Sequence, residues 1–83
     1  MEIRVKTAGL LGQYLPPGSA RNRAELSVKD GATPADVMAQ LGLPPEDLYL
    51  VSHNGSVVPT DKRDQVELKE GDQLAIMPPL KGG

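Results

Sequence analysis

Polar and apolar residues alternate through Glu2-Ile3-Arg4-Val5-Lys6, setting Ile3 and Val5 on one face with the period of a half-buried strand. This first strand spans residues 2–8 and ends at Gly9. Leu10-Leu11-Gly12-Gln13-Tyr14-Leu15 suits a short helical turn, and Pro16-Pro17-Gly18-Ser19 is dense in turn formers. Alternation resumes at Ala24, Leu26 and Val28, which predicts a second strand over residues 23–29, broken by Asp30-Gly31-Ala32. Thr33-Pro34 then starts a helix, because a Thr hydroxyl accepts from a free N–H while Pro at the first helical position lacks one. Asp36 favours the helix dipole, Val37, Met38 and Leu41 recur at helical spacing, and Gly42 followed by Pro44-Pro45 is a stop.

Residues 48–53 read as a third strand. Asn54-Gly55 tolerates the positive φ angles of a tight hairpin, which returns into Ser56-Val57-Val58. Residues 60–65 are polar, Val66 and Leu68 resume the alternation, and Glu70-Gly71-Asp72 makes a turn. Leu74 and Ile76 form the last inward-facing pair, so Ala75 and Met77 point to the other face of the final strand. This order of elements predicts an α+β fold of the β-grasp, ubiquitin-like type, a mixed sheet of four to five strands packed on one helix. A right-handed crossover through the helix is expected to set the third strand parallel to the partner of the second. The β-grasp domain is placed at 1–77 and an extended tail at 78–83.

With 83 residues the chain has room for one modest core and little for a deep cleft beside it, so any chemistry is expected at an edge, a loop or a terminus. The net charge is −2 and the basic residues are spread along the sequence, which argues against a nucleic-acid partner. Two Tyr are the sole aromatics, so platforms for stacking bases are missing as well. The absence of Cys excludes a disulfide framework, a thiolate nucleophile and a sulfur-ligated metal. Met1 leads directly into a strand with no apolar signal region, and no stretch approaches the roughly 20 apolar residues of a membrane span. The expectation is a soluble cytoplasmic protein with no membrane partner. Glu70-Gly71-Asp72 lacks further carboxylates at ligand spacing, so no metal site is expected. His53, with no second His or Cys, reads as a solvated turn residue, and Asp61-Lys62-Arg63-Asp64 as a solvated loop.

Candidate chemistry lies in Met77-Pro78-Pro79-Leu80-Lys81-Gly82-Gly83. Gly82 and Gly83 carry no Cβ, which lets the chain enter a narrow channel in conformations closed to other residues. Pro78-Pro79 favours a polyproline conformation, in which residues 78–83 would reach about 19 Å. Met77 and Leu80 are apolar residues on a segment that must stay extended, and either contact a partner or pack on the sheet; with Pro78, Pro79 and Lys81 they form the expected partner-binding stretch. The bland alternative is a frayed terminus.

The Asn54-Gly55 hairpin, the polar stretch after it, Leu68-Lys69-Glu70-Gly71-Asp72, the short apolar strand and the terminal Gly82-Gly83 resemble the MoaD/ThiS family of sulfur carriers. The tail is most similar to the small subunit of molybdopterin synthase, which tends to finish with an aromatic residue, two prolines, two variable residues and two glycines. Met77 departs from that pattern by lacking the aromatic ring. Asn54-Gly55-Ser56-Val57-Val58-Pro59 looks equally like the thiamine-pathway carrier, whose tail lacks the Pro-Pro pair. The resemblance implies a carrier or co-substrate rather than an enzyme, with no bound cofactor. A ubiquitin-activating-like adenylyltransferase would use ATP and Mg²⁺ to adenylate the Gly83 carboxylate, and a sulfur donor would convert it to a thiocarboxylate. The acceptor would be a precursor on the large subunit of molybdopterin synthase, or another sulfur acceptor. Such activation is needed because a terminal carboxylate, with a usual pKa of about 3.3–3.7, is ionised at neutral pH and resists nucleophilic attack. The alternatives are a carrier for thiamine, a protein modifier joined to lysines through the same glycine, and a noncatalytic β-grasp interaction domain.

Overall fold

Alternation along the first strand becomes the two faces of a sheet. In β1 (Glu2–Thr7) Ile3, Val5 and Thr7 are buried while Glu2, Arg4 and Lys6 are exposed. The computed structural model describes residues 1–43 and 49–78. After β1 come a 3-10 turn (Gly9–Tyr14), β2 (Arg23–Ser27), α1 (Pro34–Leu41) and β3 (Leu50–His53). β4 (Ser56–Val57), a second 3-10 turn (Thr60–Lys62) and β5 (Gln73–Met77) complete the order.

The five strands form one mixed sheet in the order β2-β1-β5-β3-β4, the β-grasp arrangement expected from the sequence. β1 pairs antiparallel with β2 and parallel with β5, and β5 pairs antiparallel with β3. The expectation that the third strand runs parallel to β1 is therefore corrected: β3 runs opposite to β1 and parallel to β2. The crossover through α1 does join two parallel strands, but β1 and β5 lie between them. β5 takes the central place because both Leu74 and Ile76 are fully buried and need neighbours on each side, Val5 and Thr7 from β1 and His53 and Val51 from β3.

Inward side chains of all the long strands meet α1 in a single cluster, where Val37 joins Ile3, Val5, Leu26, Val51, Leu74 and Ile76. The helix begins where Thr33 and Asp36 satisfy each other reciprocally. The Asp36 N–H donates to the Thr33 hydroxyl at 3.2 Å, and the Thr33 N–H donates to the Asp36 carboxylate at 3.0 Å. That backbone N–H is the main reason the Asp36 carboxyl lies below its ordinary pKa. The helix ends at Gly42, whose φ of 77° is open to glycine and strained for most other residues.

Two local readings are corrected. Val66 and Leu68 belong to no strand; Leu68 is nevertheless buried, and its N–H donates to the Ala32 carbonyl at 2.8 Å, pinning the chain beneath the start of α1. Arg63 is half-buried rather than solvated. Its carbonyl accepts from Ala35 N–H at 2.9 Å and its guanidinium donates to the Tyr49 carbonyl, while Asp61, Lys62 and Asp64 remain exposed. Among the described residues no helix is long and apolar enough to cross a membrane.

The capping box gives a stability prediction. Thr33→Ala removes one acceptor from the first turn and is expected to cost about 1 kcal/mol in chemical denaturation, with the fold retained.

Candidate functional site

The residues of β5 that do not enter the core define an open face of the sheet. Ala75 and Met77 are half-buried there, as the alternation predicts. The register sets Leu50 opposite Met77, Ser52 opposite Ala75, and Val57 opposite Ser52. Directly opposed residues share a face, so Leu50, Val57, Ala75 and Met77 form an apolar patch on the side away from α1. Leu50 is 50% and Val57 64% exposed, a cost in hydration that nothing in the core explains. The patch lies at the end of β5 that leads into the exposed Pro78. Of the expected site residues Met77 and Pro78 are thus located, and Pro79, Leu80, Lys81, Gly82 and Gly83 lie outside the described residues. Leu50 and Val57 were not singled out from the sequence, because their membership depends on strand pairing.

At the opposite end of β5 a polar clasp holds the hairpin. Asn54 and Gly55 take φ angles of 49° and 88°, the paired positive values of a tight two-residue turn. The turn brings Asn54 over β5, where its side-chain oxygen accepts from Gln73 N–H at 2.8 Å and its amide donates to Asp72 Oδ1 at 3.1 Å. Asp72 Oδ2 accepts from Lys69 N–H at 2.8 Å and lies in hydrogen-bond contact with His53 Nε2 at 2.6 Å. The His53 and Asp72 side chains are only 22% and 14% exposed, so the solvated reading of His53 is corrected. The hydrogen bond from His53, followed by those from Lys69 and Asn54, lowers the Asp72 carboxyl below its ordinary value despite partial desolvation.

This clasp fixes where β5 begins and hence which of its side chains reach the open face. It assembles no nucleophile and base pair. Among the described residues no group of three or more His, Cys, Asp and Glu could hold a metal ion. What the described residues present is an exposed apolar face at the end of β5 that leads into Pro78, on a sheet held at the other end by the clasp.

A mixed five-stranded sheet of this order packed on one helix defines a β-grasp, ubiquitin-like fold. The chain belongs to the ThiS family, whose family model matches residues 17–83. It is 33% identical over 66 residues to a molybdopterin synthase sulfur carrier subunit of Drosophila yakuba, covering 74% of this chain and 72% of that protein. The small archaeal modifier protein 1 of Haloferax volcanii shares the fold at a TM-score of 0.70 and 18% identity, over 95% of this chain and 98% of that one. A chain in the complex of subunits 1 and 2 of the molybdopterin-converting factor of Helicobacter pylori matches at a TM-score of 0.62 and 17% identity over the full length of both.

The clasp carries a pH prediction. Because the folded Asp72 carboxyl titrates below its ordinary value of 3.8, it contributes stability above that pH and loses it as the pH falls through the lowered value. Asp72→Asn is expected to reduce stability at neutral pH and to flatten the acid limb, as measured by urea unfolding over a pH series.

Proposed function

We propose that this protein carries sulfur on the Gly83 carboxylate for the biosynthesis of molybdopterin. The observation that supports this reading most directly is the ThiS family match, which runs through the tail to residue 83. The Pro78-Pro79 pair and the likeness to a molybdopterin synthase sulfur carrier subunit favour molybdopterin over thiamine as the product served.

On this reading the chemistry is divided between partners. A carboxylate oxygen of Gly83 attacks the α-phosphorus of ATP bound with Mg²⁺ in the activating enzyme, releasing pyrophosphate and forming an acyl adenylate. A sulfide-level nucleophile from the sulfur donor then attacks the acyl carbon and expels AMP, leaving a thiocarboxylate. The ATP, the metal and the catalytic groups belong to the activating enzyme, and the sulfur passes to a cofactor precursor held on the large synthase subunit. This chain supplies the slim Gly82-Gly83 end and the surface by which it is held. Leu50, Val57, Ala75 and Met77 are placed to be covered whenever a partner grips the tail, and desolvated apolar anchors of this kind commonly dominate binding.

The central test is an intact mass after incubation with ATP, activating enzyme and sulfur donor. The expected result is a gain equal to the replacement of one oxygen by sulfur. Deleting Gly83, or extending the chain beyond it with residues that are not removed, is expected to abolish ATP–pyrophosphate exchange while leaving thermal unfolding unchanged. An N-terminal tag is expected to be tolerated better. Recovery of the chain in isopeptide linkage to lysines of other proteins would instead assign it to the modifiers.

A second prediction concerns the face. Leu50→Asp combined with Met77→Asp is expected to weaken binding to the activating enzyme by at least about tenfold, roughly 1.4 kcal/mol, with a smaller effect on stability. Calorimetric titration alongside thermal unfolding separates the two effects.

A further inference from the structure

Beyond the apolar patch, the same side of the sheet carries charges that the fold does not explain. The β1–β2 register sets Lys6 directly opposite Arg23, and Arg4 opposite Glu25. Like charges opposed across an antiparallel pair are destabilising. Among the described residues none of Arg4, Lys6 and Arg23 has a carboxylate within ion-pair distance, Glu25 included. Arg4, Lys6 and Arg23 share this face with Glu2 and Glu25, so three positive charges against two negative give it a local balance of +1 in a chain whose net charge is −2. They are not merely scattered over a flat surface. The loop at Pro16–Ser19 rises beside them and, with Gln73 of β5, shapes an open groove of about 690 Å³.

We infer that this groove docks an extended acidic segment of a protein partner. Arg4 and Lys6 are two residues apart on one strand, so their side chains leave the sheet about 6.6–6.8 Å apart along it. An extended peptide with carboxylates at alternate positions presents the same spacing. A single phosphate could be met by the opposed Lys6 and Arg23 alone and would leave Arg4, two residues along the strand, without a partner, whereas an extended segment engages all three. Neither Tyr14 nor Tyr49 lines the groove to stack a base, which argues against a single-stranded nucleic acid. Gln73 lies on the same strand face as Ala75 and Met77, so a bound segment can continue toward the apolar patch. The inference goes beyond the sulfur-carrier reading and holds whether or not Gly83 is activated.

The test uses the full chain, ¹⁵N-labelled, titrated at low salt with the peptide Glu-Ala-Glu-Ala-Glu-Ala, with its Lys-Ala counterpart, and with inorganic triphosphate. Amide shifts are expected at Arg4, Lys6, Arg23, Glu25 and Gln73 with the acidic peptide, fading as salt is raised. Lys6→Glu with Arg23→Glu is expected to weaken that binding by about tenfold or more. Lys6→Glu alone turns the opposed like pair into an opposite pair, and is expected to raise the urea midpoint while lowering peptide affinity. Shifts that are absent or lie elsewhere on the fold would overturn the inference. So would triphosphate binding the same residues as tightly as the peptide. Loss of stability together with affinity in Lys6→Glu would overturn it too, because the cations would then serve the fold.

Discussion

Residues near the two ends of the sequence meet where β1 lies parallel to β5, with Val5 against Leu74 and Thr7 against Ile76, and every other element hangs on that ladder. β2 pairs with the free edge of β1, the β3–β4 hairpin pairs with the free edge of β5, and α1 covers the buried row they share. Burying side chains the size of Leu74 and Ile76 contributes about 1.5–3 kcal/mol each, against the entropy of closing nearly the whole chain into one loop. Contacts so distant in sequence form slowly, so this ladder is the natural bottleneck of folding. It also sets the phase of β5, and through that phase it decides that Met77 faces outward.

The outward face divides into two territories with different physics. Near Pro78 it is apolar, where Leu50, Val57, Ala75 and Met77 trade favourable hydration for the prospect of burial by another molecule. Toward β2 it is cationic, where Lys6 and Arg23 trade stability for a field. Both depend on the clasp of His53, Asn54 and Asp72, because a slip of one residue in β5 would exchange its inner and outer side chains.

What the sequence made legible was local. Thr33-Pro34 announced the helix start because capping is decided within one turn, and Asn54-Gly55 announced the hairpin because positive φ suits those residue types. The pairing of Leu74 with Ile76 against Ala75 with Met77 followed from a period of two. Strand neighbours were not legible, since alternation says which face a residue takes and nothing about which strand lies beside it; the third strand was accordingly assigned the wrong direction relative to β1. The same gap hid the Asp72 clasp, whose partners His53 and Asn54 are distant in sequence, and the convergence of Arg4, Lys6 and Arg23, which looked dispersed along the chain. Leu68 shows a different limit. It was read from its alternation with Val66, yet its burial comes from a backbone bond to Ala32 outside any strand.

The central position of β5 has a mechanical meaning. A partner that draws on the segment beyond Pro78 pulls along the axis of a strand held on both sides, by β1 on one edge and β3 on the other. The load falls in shear across both ladders at once, so many hydrogen bonds must yield together. An edge strand pulled from its end would peel, one bond at a time. Force applied beyond Pro78 is therefore borne by the middle of the sheet, and the domain behind it stays folded.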